Sequence, residues 1–213
     1  MAILPYSSLR ALSTTTPLTD SGTAPTVGAS TKVARADHVH PTAIWQSVDY
    51  GLISWAFDPS TASNATILTS AGLVHVVKLH IPVATTVTNL HIIVTTAGST
   101  LTASQCLAGL YQSGTLLGTT ADQSTPWSST GYKTMAISGG AVAVVAGDVY
   151  VAFFANGTTL PTLLRGFNNT AVNGSLASPN LRFATADSGR TTSFPASMGS
   201  QSATALTYWA AVS

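Results

Sequence analysis

Residues 35–41, with the sequence RADHVHP, bring together side chains that could bind a metal ion. His38 and His40 are two positions apart, so in an extended chain both imidazoles point to the same side. Two imidazoles are too few for a zinc site, which takes three or four protein ligands. Three copies of the pair around a threefold axis would present six imidazoles to a first-row transition metal. The motif therefore predicts a metal site only in a trimer.

The same motif is compatible with a structural turn that holds no metal. In this alternative Asp37 caps the turn, Arg35 pairs with an aspartate of a neighbouring chain, and both histidines hydrogen-bond to backbone carbonyls. Charged residues are only 7% of the sequence, against roughly 25% in an ordinary domain. Either role explains why scarce charge is concentrated here, and the sequence leaves the choice open.

The composition changes near residue 44. Residues 1–44 contain four of the ten prolines and few large apolar side chains, so this segment cannot bury enough surface to fold alone. We expect it to be extended and to become ordered through contacts with other chains. Residues 45–213 instead alternate short apolar runs with clusters of Gly, Asn, Ser and Pro, which is typical of strands and turns. The sequence thus predicts an extended segment, 1–44, followed by one folded domain, 45–213.

An all-β fold is predicted for the folded domain. The chain has no Glu and few Lys, whereas the β-branched residues Thr and Val are abundant, a composition that favours strands over helices. Evenly spaced strands with Gly-rich turns indicate an antiparallel β-sandwich of jelly-roll type. The expected strands span 50–57, 72–83, 86–97, 105–112, 114–121, 132–138, 147–156, 162–167, 180–185 and 206–212, with a hairpin turn at Ser113-Gly114.

Several functional classes find no support in the sequence. The longest apolar run, 139–147, is much shorter than the roughly 20 residues of a membrane-spanning helix, and the N-terminus lacks the basic start of a signal peptide. No basic stripe favours nucleic acid. The lone Cys106 is expected to be buried as a small hydrophobe. Because no carboxylate pair or nucleophile elbow is present, we expect no enzyme activity.

Three histidines outside the motif fall on predicted strands. His75 and His80 are five positions apart, so on an ideal strand they face opposite sides and cannot share a site. We expect these two residues and His91 to lie singly in the core or at its rim.

Two aromatic residues are candidates for a surface contact. Trp127 lies in the polar loop STPWSSTGY, and Tyr132 ends it. Exposed Trp and Tyr side chains stack on sugar rings and anchor protein contacts, so we consider both residues for contact with a glycan or receptor. The alternative is that the loop packs over one edge of the sandwich, or is buried at a subunit interface.

The segment GTAPTVGASTKVARADHVHP (22–41) resembles one that recurs in fibre and appendage proteins of tailed bacteriophages. In such proteins the segment lies at the junction between an N-terminal attachment region and a distal domain. The resemblance implies a homotrimer, and in some of these proteins His-x-His pairs ring a metal on the threefold axis. The residues that match the pattern are Gly28, Ser30, Ala34, Arg35, Asp37, His38, His40 and Pro41.

The resemblance implies a virion structural protein assembled in the bacterial cytoplasm. No repeats or shaft follow the motif, which favours a short trimeric tail fibre, spike or baseplate-tip protein over a long fibre. Its partners would be two further copies of itself, other virion proteins through residues 1–44, and a host-surface glycan or protein. One alternative is a capsid head fibre or decoration protein of the same architecture. Another is a secreted carbohydrate-binding β-sandwich.

Overall fold

The computed structural model describes residues 45–213, so the extended segment expected at 1–44 lies outside its range. The described chain is mostly β, as predicted, and its only helices are 3-10 turns at Ser47–Tyr50, Pro59–Thr61 and Pro126–Ser128. The strands are β1 (Ser54–Trp55), β2 (Asn64–Ile67), β3 (His75–Ile81), β4 (Thr85–Val87), β5 (Asn89–Thr96), β6 (Ser99–Leu101), β7 (Leu107–Gln112), β8 (Thr115–Thr119), β9 (Gly131–Ala136), β10 (Val142–Val144), β11 (Gly147–Phe154), β12 (Gly157–Thr159), β13 (Thr162–Arg165), β14 (Phe183–Ala186), β15 (Gln201–Ala203) and β16 (Ala211–Val212).

Two six-stranded sheets form the frame of residues 46–213. Sheet I has the strand order β1-β16-β5-β13-β2, and β9 also pairs with β5. Sheet II has the order β15-β14-β3-β11-β7-β8. Two short ribbons, β10–β4 and β12–β6, complete the pairing. All of these pairs are antiparallel, as predicted.

One apolar core receives alternate side chains from both sheets. Leu90, Ile92 and Val94 alternate along β5, and all three are buried in this core. Val77 and Leu79 of β3 in sheet II belong to the same cluster. Since burying a side chain of this size contributes about 1.5–3 kcal/mol, the two-residue alternation of these strands is the main local cause of the fold.

The hairpin predicted at Ser113-Gly114 is confirmed. Ser113 has φ 50° and Gly114 has φ 79°, and two positive φ angles are what a type I′ turn requires. Gln112 pairs directly with Thr115 across this turn. The turn therefore sets the register of β7 against β8.

The central strand β11 is buried on both faces. Val149, Val151 and Phe153 face the main core. Tyr150 and Phe154 on the opposite face are also buried, in a second apolar cluster. This face is covered because the chain returns across sheet II.

The returning segment is residues 187–200, called the strap below. Phe194 of the strap packs edge-on against Phe154, with ring centroids 4.9 Å apart. The Tyr111 hydroxyl donates to the Pro195 carbonyl at 2.8 Å, and the Leu116 N–H donates to the Ala196 carbonyl at 2.9 Å. These contacts fasten the strap to β7 and β8 of sheet II.

The strand predicted over residues 50–57 was wrong over most of its length. Gln46 and Asp49 form a capping box that starts the 3-10 turn Ser47–Tyr50, and Gly51 ends it with φ 71°. Only Ser54–Trp55 pairs as a strand. Local capping hydrogen bonds therefore override the apolar pattern here.

The C-terminal strand is docked in sheet I, but it is shorter than the predicted span 206–212. Ala211 and Val212 pair with both β1 and β5. Before them, Trp209 donates its backbone N–H to Leu164 at 2.9 Å and its indole N–H to the Phe57 carbonyl at 2.9 Å. These bonds hold the last residues in place without a continuous ladder.

Candidate functional site

The motif residues predicted from the sequence lie outside the described range of the chain. Within residues 45–213, no group of three or more His, Cys, Asp or Glu side chains is placed to hold a metal ion. The metal hypothesis for His38 and His40 thus stays a prediction. The predicted motif residues outside the range are Gly28, Ser30, Arg35, Asp37, His38, His40 and Pro41.

Trp127 is not at the surface, so its expected exposure was wrong. Its side chain is 0% exposed and belongs to the main core. The 3-10 turn Pro126–Ser128 directs the indole inward, and the backbone N–H of Trp127 donates to the Gln123 carbonyl at 2.9 Å. The large apolar area gained by burying an indole outweighs the polar composition of its loop. A glycan could not reach this ring without opening the core.

Tyr132 is half exposed, as the surface hypothesis requires. Its side chain lies on β9 opposite Ile93 of β5. The phenol ring is 5.9 Å from the ring of Trp209 and 5.3 Å from that of His91. Tyr132 therefore presents an aromatic edge on the outer face of sheet I, without the partner that Trp127 was expected to provide.

The strand histidines lie apart, as predicted. His75 is buried between the rings of Phe153 and Tyr208, at centroid distances of 6.0 and 5.0 Å. His91 is buried in sheet I, and its Nε2 is 2.9 Å from the Ser213 hydroxyl. Burial lowers the pKa of each imidazole to about 4. Both are therefore neutral core residues at pH 7.

The strongest candidate site is a cleft where β1 of sheet I meets β3 of sheet II. It has a volume of about 220 Å³. Three of its lining side chains carry formal charge and one is an imidazole, in a chain with only 7% charged residues. The residues that define this charged cleft are Trp55, Lys78, His80, Asp148, Leu176 and Arg182.

Asp148 is the centre of the charged cleft. The register of β3 and β11 pairs Asp148 with His80, and Lys78 is two residues away on the same face. Lys78 Nζ lies 3.0 Å from Oδ2 of Asp148, and His80 Nδ1 lies 3.2 Å from Oδ1. Partial burial tends to raise the pKa of Asp148, but hydrogen bonds from Lys78 and His80 outweigh this and lower it. The carboxylate is therefore ionised and firmly oriented.

Arg182 supplies the second fixed positive charge. One guanidinium nitrogen donates to the Ala56 carbonyl at 2.7 Å, which ties the side chain to the end of β1. The guanidinium carbon lies 5.2 Å from the centre of the Phe183 ring. The exposed Arg182 is therefore held from two directions, although a guanidinium has five donors and can serve a further acceptor.

A second cavity of about 250 Å³ adjoins the charged cleft, because Asp148 lines both. Tyr150 forms part of its floor, and its hydroxyl donates to the Pro179 carbonyl at 2.9 Å. Its lining residues are Ser113, Gly114, Asp148, Tyr150, Pro179, Asn180, Met198, Gly199 and Gln201.

The sequence did not reveal the charged cleft. Lys78 and His80 are two positions apart, which does predict a shared face. Asp148 is 68 residues from His80 in sequence, and Arg182 lies on yet another segment. Only the β3–β11 register and the return of the chain before β14 bring these groups together.

The charged cleft can orient a polar ligand. Its carboxylate accepts hydrogen bonds, while the guanidinium, ammonium and imidazole groups donate them.

In the part of the chain that the structure describes, no helix is long and apolar enough to span a membrane. No protein-family model matches this sequence, and no curated protein is similar to it at a significant level.

Proposed function

We propose that the protein is a structural component of a tailed-bacteriophage virion, namely a short trimeric tail fibre, spike or baseplate-tip protein. The observation that carries the proposal is the sequence motif of residues 28–41, whose residue types follow one another in the fibre-protein pattern and directly precede an all-β domain in the chain. In this role, residues 1–44 attach the chain to other virion proteins, and the domain projects outward. No catalytic step is assigned to it.

The arrangement of sheets I and II supports a jelly-roll-like sandwich for the projecting head. Side chains from both sheets fill a common core, which is what two sheets packed face to face require. Antiparallel sandwiches of this kind present loops and sheet faces to solvent, and both can contact a cell surface.

Exposed apolar side chains support association into a trimer. Val48 and Val83 are 66% and 71% exposed. They line one apolar groove of about 430 Å³ together with Leu52, Ile53 and Pro82. Exposed apolar grooves are typical of surfaces that a partner covers, and the proposal assigns a second copy of the chain as the partner here. In the trimer, His38 and His40 of three chains would surround one transition-metal ion.

The first test is the mass and metal content of the purified full-length chain. Light scattering should give a trimer of about three times the 21.7 kDa chain mass, and elemental analysis should find about one metal ion per trimer. A trimer without metal would keep the virion role and assign RADHVHP to a hydrogen-bonded turn. A monomer at micromolar concentration would contradict the proposal and favour a free carbohydrate-binding module.

The second test concerns attachment. Deleting residues 1–44 should leave a folded domain that no longer enters virions in a complementation assay. Incorporation of the truncated chain at the normal level would contradict the assigned role of this segment. Protein found on DNA-filled heads that lack tails would instead assign it to the capsid as a head fibre or decoration protein.

A further inference from the structure

We propose that the charged cleft binds an anionic saccharide, a sugar chain that carries carboxylate or phosphate groups. This deepens the host-contact role proposed above, and rests on it only for the biological source of the ligand. The site itself is argued from Asp148, Lys78, His80, Arg182 and Trp55, which lie together at one corner of the domain.

Asp148 provides the acceptor that sugar hydroxyls require. Each of its oxygens already receives one hydrogen bond, from Lys78 or His80, and an ionised carboxylate can accept about four in total. The side chain is 46% exposed, so the remaining acceptor positions are accessible. Two adjacent hydroxyls of one sugar ring could therefore donate to this carboxylate, which Lys78 and His80 hold in place.

The balance of fixed charge in the cleft favours an anion. Lys78 and Arg182 contribute two positive charges, and Asp148 contributes one negative charge. The Lys78 side chain is only 14% exposed and is largely neutralised by Asp148. The exposed Arg182 thus carries the uncompensated charge, and its planar fork matches a carboxylate or phosphate group.

Trp55 and Leu176 supply the apolar side of the same cleft. The Trp55 ring is partly buried and is held by the ring of Tyr50 at a centroid distance of 5.1 Å. Trp55 lines the same cleft as Asp148, and an indole suits a sugar ring, which has an apolar face and a polar edge. A small inorganic anion would use Arg182 but would gain nothing from Trp55.

The length of the site favours an oligosaccharide over a single sugar. The charged cleft and the adjoining cavity have volumes of about 220 and 250 Å³ and share Asp148. Each alone is smaller than a usual ligand pocket of roughly 300–1,000 Å³, so a ligand that contacts Asp148 from both cavities would have to extend beyond one of them. The adjoining cavity adds the exposed residue Asn180, so a second ring would meet a hydrogen-bonding amide as well.

The test is binding of the full-length chain to an array of immobilised bacterial polysaccharides. The array contains uronic-acid polymers, phosphate-bearing polymers and neutral polymers. We expect signals at least tenfold stronger on one or both anionic classes than on neutral polymers. A preference for one class identifies the anionic group. The Asp148→Asn and Arg182→Gln variants should each reduce the anionic signal about tenfold.

Two further variants separate loss of binding from loss of folding and from a general effect of charge. One is a control outside the cleft, and the other is a second test of the cleft. Lys133→Gln removes a positive charge from β9, where Lys133 Nζ bonds Ser129 and Thr130, and it should bind like the parent. His80→Ala changes a side chain that is 71% exposed, so it should fold normally and still weaken binding several-fold. Thermal melting of each variant identifies any loss that is due to unfolding.

Two results would overturn the proposal. One is the absence of any anionic polymer bound above the neutral ones. The other is undiminished binding by both Asp148→Asn and His80→Ala. The array is independent of virion assembly. If the chain binds the polymers but never enters particles, the proposed virion function is wrong and the ligand site at the charged cleft is retained. The opposite pattern would keep the virion role and reject the cleft.

Discussion

The outer faces of the two sheets differ in what covers them. On sheet II, the strap lays Phe194 over Phe154 and Tyr111, and the three rings are buried in a second core. On sheet I, a smaller apolar cluster around Leu52 and Trp209 is buried, but Tyr132 beside Trp209 is 50% exposed. The same alternation of side chains therefore gives a second aromatic core on one sheet, and on the other a smaller buried cluster with an exposed tyrosine beside it.

This difference explains where polar chemistry is found. The strap covers the part of sheet II near Phe154 and leaves the opposite end of β3 and β11 uncovered. Lys78, His80 and Asp148 stand at that end, where His80 and Asp148 are exposed to water and Lys78, only 14% exposed, is paired with Asp148. The outer face of sheet II thus has two parts. The apolar part under the strap stabilises the fold, and the polar part beyond the strap is available to a ligand.

The largest expected effect comes from removing the anchor of the strap. Phe194→Ala should lower the free energy of unfolding by about 3–5 kcal/mol, since the ring is nearly fully buried and its loss leaves a cavity over Phe154. Denaturant unfolding monitored by fluorescence measures this value.

The matched control for Phe194→Ala is Tyr132→Ala on the open face of sheet I. It should cost only about 1 kcal/mol, because it removes aromatic contacts with His91 and Trp209 from a half-exposed site. Equal losses in the two variants would show that the covered and open faces do not differ energetically.

Acidification should have the next largest effect. Burial lowers the pKa of His75 and His91 to about 4, below the value of about 6.5 in an unfolded chain. Protonation therefore favours unfolding: their contribution is complete above pH 6.5 and is lost as the pH falls towards 4. Between pH 7 and pH 5 each histidine should reduce the free energy of unfolding by roughly 2 kcal/mol.

The His91→Gln variant isolates the contribution of His91, whose ring contacts Tyr132, to this loss of stability at low pH. The variant should lose less stability between pH 7 and pH 5 than the parent, and the difference should be roughly 2 kcal/mol. Urea unfolding at both pH values gives the two free energies for each protein. If His91→Gln and the parent lose the same amount, the burial assigned to this imidazole is incorrect.

The smallest effect is expected at the charged cleft. Asp148→Asn should change the free energy of unfolding by less than about 1 kcal/mol, because exposed ion pairs contribute little to stability. Chemical denaturation of this variant, compared with the parent, measures the change. A loss of several kcal/mol would mean that the cluster of Lys78, His80 and Asp148 serves the fold, which would remove the contrast with the strap.

Much of the fold could be predicted because its signals are local. The hairpin at Ser113-Gly114 needs two residues that tolerate positive φ, and the sequence shows them side by side. The buried face of β5 follows from the alternation of Leu90, Ile92 and Val94. The failure at residues 50–57 also has a local cause, a capping box, whose geometry a hydrophobic pattern does not specify.

By itself, the sequence determined the all-β class, the positions of strands such as β3 and β11, and the separate environments of His75 and His80. Each of these depends on the two-residue period of a strand or on residues that adjoin one another in the chain. Tertiary structure alone decided which face of sheet II is covered, where the Trp127 indole points, and that Asp148 meets Lys78. These outcomes depend on register and on chain return between segments far apart in sequence, and side-chain periodicity carries no information about either.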